Sequence, residues 1–359
     1  MNRWRCFYSL GLLLVSLLAL ATLAFSETPR ESGLRLCSQN LHRLGDLGRG
    51  KKQQTNQERY LINRVKQARC DVVAIQELFG GSRAEAERNL EHFAAKLSDS
   101  SGRTFRGVTG SSNDPCIRNG FLFAVDAVSM INKWDLASAK LPRLSPADRR
   151  GFFSRGPVAA LFEVIAKRRL AVGAPRRLFL FSFHLKSKSD GWKDKTKTQY
   201  EGLRMLQAEG LRNEALRLRD SVAEHAVVIL LGDRNSEETG AASELLSGAL
   251  LLTDFTQGGS CTLGPSLRAA CGKRPLRERK FLGLFEEKQR RSGLLSSRQR
   301  QGSYFYRKSE QLIDEILVEE DYHRFFENQS GVPRAGFTGE FFHGSDHKLL
   351  WAAYGEDVG

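Results

Sequence analysis

Polar residues recur where apolar runs end, and they are of the types that hold cations and move protons. Asn40 closes a run inside SQNLHRLG, Glu77 inside DVVAIQE, and His184 inside FLFSFHLKS. Asp233 and Asn235 follow the most apolar run of the chain, VVILLGDRN. Asp314 lies within LIDEILV, and Asp346 with His347 precedes the final run in GSDHKLLWA. Taken singly, each has a structural explanation: Asp or Asn after a strand is usually a turn former or a helix cap, and a lone histidine is usually a satisfied structural residue. Taken in order, side chains at so many strand ends can converge on one rim of a sheet sandwich.

The elements that must position them follow from periodicity. Leu34–Leu41 alternates as a strand, and Gln54–Arg69 carries Tyr60, Leu61, Val65 and Ala68 at helical spacing. Asp71–Gln76 reads as a buried strand and Ala84–Leu97 as an amphipathic helix. Phe121–Val125, Val158–Ile165 and Leu178–His184 read as strands. Gln199–Glu224 is a long helix, and the continuous apolar run Val227–Gly232 is a central strand. A helix over Ala241–Leu250 and strands over Ile313–Val318 and Lys348–Tyr354 complete the pattern. Several strands follow one another without a helix, which points to facing sheets with helices outside rather than one doubly wound sheet. Residues from about 260 to 302 read as an Arg/Lys-rich, strand-poor insertion, either a solvated loop or a nucleic-acid contact.

From Asn40 to His347 this order resembles the endonuclease/exonuclease/phosphatase superfamily. The residues that carry the resemblance are QE after a strand, GDRN in place of the family's GDxN, and the terminal SDH. It implies an α/β (α+β) fold of the DNase I-like kind, a four-layer αββα sandwich with two central, mostly antiparallel sheets. It also implies roles. Glu77 would bind a metal with Asn40, and Asp346 would hold a second ion or support the first. Oxygen ligands of this kind suit Mg²⁺ or Mn²⁺, with Ca²⁺ admitted, rather than zinc. His347 would be the general base and Asp314 the acid that orients it. Asp233 and Asn235 would position the nucleophile and the phosphoryl oxygens. His184 would donate to the scissile phosphate or protonate the leaving oxygen, and Arg118 would bind the phosphate. Three features depart from the pattern: His42 has no family position, Glu315 follows Asp314 where many relatives have Tyr or His, and Lys348-Leu349 follows His347 where many have a proline two positions on.

The 359 residues carry a formal charge of +14, enough to attract polyanions by long-range field and counterion release. Arg3, Arg5 and an apolar run from Leu10 to about Ala24, with a cleavage site before Glu27, have the layout of a secretory signal over 1–26. An uncleaved membrane anchor is the alternative. The remainder, 27–359, reads as one catalytic domain, secreted or periplasmic and monomeric, with no stable membrane association. An exported chain can keep disulfides. Cys261 with Cys271 is the best pair, Cys70 with Cys116 a weaker one, and Cys37 reads as a buried free thiol. No CxxC pair suggests a zinc site.

The substrate read from this is nucleic acid, DNA first and RNA second. His184, the net charge and Lys186, Lys188, Lys193, Lys195 and Lys197 support it. Few aromatics interleave with these charges, so base stacking is not indicated and sequence selectivity is not expected. The competing substrate class is lipid or small phosphoester, as in a sphingomyelinase, phospholipase C-like or inositol polyphosphate phosphatase-like hydrolase. Phe152-Phe153 or Phe341-Phe342 would then dock a membrane. The full set of site residues argues against a binding module that has lost catalysis.

Overall fold

The computed structural model describes residues 33–356 except 47, 49, 145–150, 189–192, 195–197, 223–224, 274, 276, 293–300, 307–308 and 342–343. The expected signal over 1–26, Lys195, Lys197 and Phe342 therefore lie outside the described residues.

One sheet of six strands is built from β1 (Leu34–Leu44), β2 (Val72–Phe79), β3 (Phe105–Thr109), β4 (Ile117–Ala124), β15 (Ala335–Thr338) and β16 (Leu349–Tyr354), in the order β15-β16-β1-β2-β4-β3. The other contains β5 (Val128–Asp135), β6 (Val158–Val164), β7 (Arg177–His184), β8 (Val227–Asp233), β11 (Phe281–Gly283) and β14 (Asp314–Glu319), in the order β11-β14-β8-β7-β6-β5. Two small hairpins, β9–β10 (Cys261–Leu263, Ala269–Cys271) and β12–β13 (Tyr304–Tyr306, Ser309–Gln311), stand apart. Among the described residues only β1–β2 and β7–β8 pair in parallel; the other ladders are antiparallel.

The side-chain alternation makes the layers. In β7, Leu178 and Leu180 face the first sheet, while Phe179, Phe181 and Phe183 face helices; in β8, Val227, Ile229 and Leu231 alternate in the same way with Val228 and Leu230. Both faces are covered, which is why these strands read as unbroken apolar runs. Helices α1 (Lys51–Gln67) and α2 (Arg83–Ser101) pack outside the first sheet through Leu61, Val65, Leu90 and Phe93. Helices α3 (Glu201–Val222) and α4 (Ala241–Ser247) cover the second through Leu206, Leu211, Ala215 and Leu245. The result is the four-layer αββα sandwich with two mostly antiparallel sheets.

Two expectations are corrected. Cys37 is not a free thiol: it is bonded to Cys70, and among the described residues Cys116 is the free cysteine. The parallel pairing of β1 with β2 puts the two starts side by side, with Asp71 N donating to Arg35 O. Antiparallel pairing of β2 with β4 puts Cys116 at the far end of β2, against Gly80, roughly 25–30 Å from Cys70 at about 3.3 Å per residue. Cys261 and Cys271 do pair, directly across the β9–β10 hairpin. The segment from 260 to 302 is not strand-poor: it holds that hairpin, the edge strand β11 and the helix α5 (Leu284–Arg291). Three of its arginines are compensated, Arg277 by Asp254 and both Arg290 and Arg291 by Glu287.

Candidate active site

Register alone assembles half of the site. Asp233 at the end of β8 stands opposite His184 of parallel β7 and opposite Asp314 of antiparallel β14. In the facing sheet Asn40 stands opposite Gln76, so Glu77 follows at the same rim. Below the rim, Gln76 Nε2 donates to Ser182 Oγ (3.3 Å) and Ser182 Oγ donates to Ile75 O (2.9 Å), tying the sheets together.

The strands lose their regularity where the polar side chains emerge. The β1–β2 ladder shifts register between Asn40 and Leu44, and the β2–β4 ladder between Ile75 and Leu78. Such bulges re-aim side chains. Glu77 (φ 56°), Asn235 (φ 51°) and His42 (φ 48°) adopt left-handed backbone, a conformation that costs non-glycine residues about 1–3 kcal/mol and clusters at functional sites.

His347 Nδ1 lies 2.7 Å from Asp314 Oδ2, and both side chains are buried. Its Nε2 faces Asp233 Oδ2 at 3.8 Å and Asp346 Oδ1 at 4.0 Å. The ring of Tyr304 lies tilted against it, with centroids 4.7 Å apart. Several hydrogen bonds fix this pair. Ser303 Oγ accepts from Asp314 N (3.0 Å), Ser345 Oγ accepts from His347 N (3.1 Å) and donates to Asn40 O (2.9 Å), and Arg64 of α1 holds His347 O (2.7 Å). Burial acts to lower the His347 pKa, but the charge and hydrogen bond of Asp314, with Asp233 and Asp346, outweigh it and raise the imidazole to about 10. In the metal-free protein, the His347 ring of histidine-labelled material should therefore titrate near pH 10 by NMR. In Asp314→Asn the titration should fall, because the anion that holds the proton is gone. An unmoved titration would mean that the two groups do not interact.

Asn40 Nδ2 bridges Glu77 Oε1 and Asp233 Oδ2, each at 3.3 Å, while its Oδ1 accepts from His42 N at 2.9 Å. Burial, and then the charge of Asp314, raise the Asp233 carboxyl to about 7. Asn235 N donates to Asp233 Oδ1 (2.7 Å), and its side-chain amide donates to Leu185 O (3.1 Å). His184 is fully buried, with Nε2 3.3 Å from Asp233 Oδ2 and 3.9 Å from Glu77 Oε1. Burial first, then Arg155, His347 and Lys186, hold its pKa well below the ordinary range, so the ring is neutral.

All the expected residues except Arg118 are thus linked by contacts. Arg118 is buried and turns its guanidinium to Gly80 O. The arginine set against the site is Arg155, which sequence reasoning missed; its Nη1 lies 2.6 Å from His184 Nε2 and 3.1 Å from Leu185 O. Arginine can only donate, so Nε2 accepts. The donor aimed at this rim is therefore the guanidinium rather than the imidazole. The only sequence signal was a lone arginine in FSRGPV before a strand. Of the lysines after His184, Lys186 lies over the Tyr200 ring and Lys188 pairs with Glu237. Phe153 is buried and Phe152 half exposed, while Phe341 packs on Phe305.

The donor set fits a hard divalent cation. Glu77, Asp233 and Asp346 bring carboxylates to one rim, and burial, then the neighbouring charge of Asp314, pushes Asp233 up to about 7. Among the described residues Asp233, Asp314 and His347 also form a compact group. The Asp314 contact occupies Nδ1 of His347, so that group is an imidazole–carboxylate pair before it is a cage.

No known sequence-family profile matches the chain, and no curated protein sequence does. The fold is shared with solved structures. An endonuclease/exonuclease/phosphatase family protein from Bacteroides thetaiotaomicron aligns with a TM-score of 0.55 and 13% identity, over 91% of this chain and 96% of that one. A mannosyl-6-phosphatase of the same organism aligns at 0.53 and 14%, over 89% and 98%. TDP2 of D. rerio complexed with a single-strand DNA product aligns at 0.50 and 16%, over 90% and 99%. The chain has the fold of these proteins.

Proposed function

We propose that the protein is a divalent-cation-dependent phosphodiesterase that hydrolyses nucleic acid, DNA first and RNA second. The observation that carries this is the buried His347–Asp314 pair, whose free Nε2 faces Asp233 and Asp346 across a rim shared with Glu77, His184 and Arg155. In this reading Glu77, Asn40 and Asp346 would hold Mg²⁺ or Mn²⁺. The bound ion supplies positive charge to the phosphoryl oxygens and offsets the carboxylates of the rim. His347 takes a proton from the attacking water through Nε2, and Asp314 holds the ring in the required tautomer and stabilises the imidazolium that results. Asp233 and Asn235 orient water and phosphoryl oxygens. Arg155 donates to the phosphate, and the neutral His184 orients Arg155. The attack is a single in-line displacement.

The nucleic-acid part rests on net charge and on the single-strand DNA product bound by TDP2, which has this fold. The mannosyl-6-phosphatase shows that the fold also serves other esters. We read the chain as exported, with a leader over 1–26 and the catalytic domain over 27–359. The Cys37–Cys70 and Cys261–Cys271 disulfides suit an oxidising compartment, and among the described residues no helix is long and apolar enough to cross a membrane. Plasmid DNA should be nicked with Mg²⁺ or Mn²⁺ and spared with EDTA. DNA intact under every metal while sphingomyelin or an inositol phosphate is hydrolysed would replace this reading with the lipid one.

A further inference from the structure

We propose that the groove beside Asp346 seats the nucleotide next to the scissile phosphate, so that a single strand, or a strand locally unpaired within a duplex, is taken with one backbone phosphate and one base laid along α1. This rests on the nuclease reading above. The groove measures about 670 Å³, within the roughly 300–1,000 Å³ of small-ligand sites. It opens between α1 and the loop carrying Gly344, Ser345 and Asp346. Asp346 belongs to both groove and reacting centre, so a ligand in one is continuous with a phosphate in the other.

Its walls differ along their length. At one end is the start of α1, where Gly50 is the cap residue, no side chain caps the helix, no acidic residue lies in the first turn, and Lys52 is exposed. Free N–H groups and a positive dipole end favour an anion there. Lys52, Asn56 and Tyr60 follow at four-residue spacing and share one stripe of the helix. They span about 12 Å at 1.5 Å per residue. Tyr60 offers a half-buried ring on which a base can stack. Between them Gln57, only 5% exposed, donates to Leu41 O (2.8 Å) and His42 O (3.0 Å). Its Oε1 is buried and, among the described residues, has no hydrogen-bond donor, which leaves an unpaired acceptor in the wall of the groove.

Two sequence features gain a purpose. Gly344 has φ 87°, and a Cβ there would stand 3.0 Å from Tyr60 Cβ, so glycine lets the loop close onto α1 and shape the groove. His42, which matches no position of the resembling family, has its backbone N held by Asn40 Oδ1 (2.9 Å) and its Nδ1 3.5 Å from Asp346 Oδ1. That places its ring at the junction of groove and reacting centre. A base on Tyr60 must leave its stack, which a single strand permits and a duplex resists.

The test is fluorescence anisotropy of labelled oligothymidylate on the full protein in EDTA, where no turnover occurs, paired with metal-driven kinetics. Tyr60→Ala should weaken binding about tenfold, as expected for one lost stacking contact, with Tyr60→Phe restoring it. The exposed Lys52→Glu should weaken it too and reduce the salt dependence by about one phosphate contact. In both weakened variants kcat/KM on the oligonucleotide should fall about tenfold relative to that on bis(p-nitrophenyl) phosphate. Unchanged binding, or a wild type that binds no oligonucleotide, overturns the groove. An oligonucleotide bound through Tyr60 and Lys52 but not cut sinks the nuclease reading and leaves the groove standing. An oligonucleotide cut equally by all variants sinks the groove alone.

Discussion

Replacing His347 by alanine is expected to lower kcat by about 10²–10⁴, the range of general acid–base catalysis, while circular dichroism and the overall fold stay as in the wild type. The expectation follows from geometry. Nδ1 is spent on Asp314 at 2.7 Å, so the ring has one nitrogen to offer, and that nitrogen faces Asp233 and Asp346. Asp314→Asn should share most of the loss, because the amide no longer stabilises an imidazolium. Groups acting as one unit are not additive, so the double variant should be little slower than His347→Ala alone. Near-normal turnover in His347→Ala would remove the general base from the mechanism. Fully additive losses would separate the two residues into independent roles.

Breaking the Cys37–Cys70 bond is expected to cost stability rather than activity. The bond closes 33 residues, for which the chain-entropy account predicts about 3–4 kcal/mol. For a domain of this size that is a fall in Tm of about 4–6 °C. Both cysteines are at most 1% exposed, so the Cys37→Ala, Cys70→Ala variant replaces a buried link without exposing the site. Calorimetry should show the drop in that variant and no comparable drop in Cys116→Ser. A Cys116→Ser protein destabilised as much, with Cys37 and Cys70 dispensable, would reverse the pairing. Peptide mapping of the unreduced chain gives the independent check.

The sequence by itself determined the strands and helices with buried faces, and the residue types of the site. A strand covered on both sides must be apolar throughout, so β7 and β8 announced themselves, as did the amphipathic α1 and α2. The polar residues that end these runs were visible because they break them: Asn40, Glu77, His184, Asp233 and Asp314. The edge strands β3 and β5 were not legible. Ser129, Ile131 and Asn132 of β5 are not buried, and such a strand exists because β6 pairs with it, not because its own pattern demands it. Tertiary structure alone decided the parallel register that joins Cys37 to Cys70, and the burial that turns Arg118 inward to Gly80. It also chose Arg155 as the guanidinium on His184 and brought the Gly344 loop against α1. The division has one cause. Periodicity records whether a side chain meets water or core, a local property. Which two segments meet is set by packing and ladder register between residues far apart in the chain, and those leave no period behind.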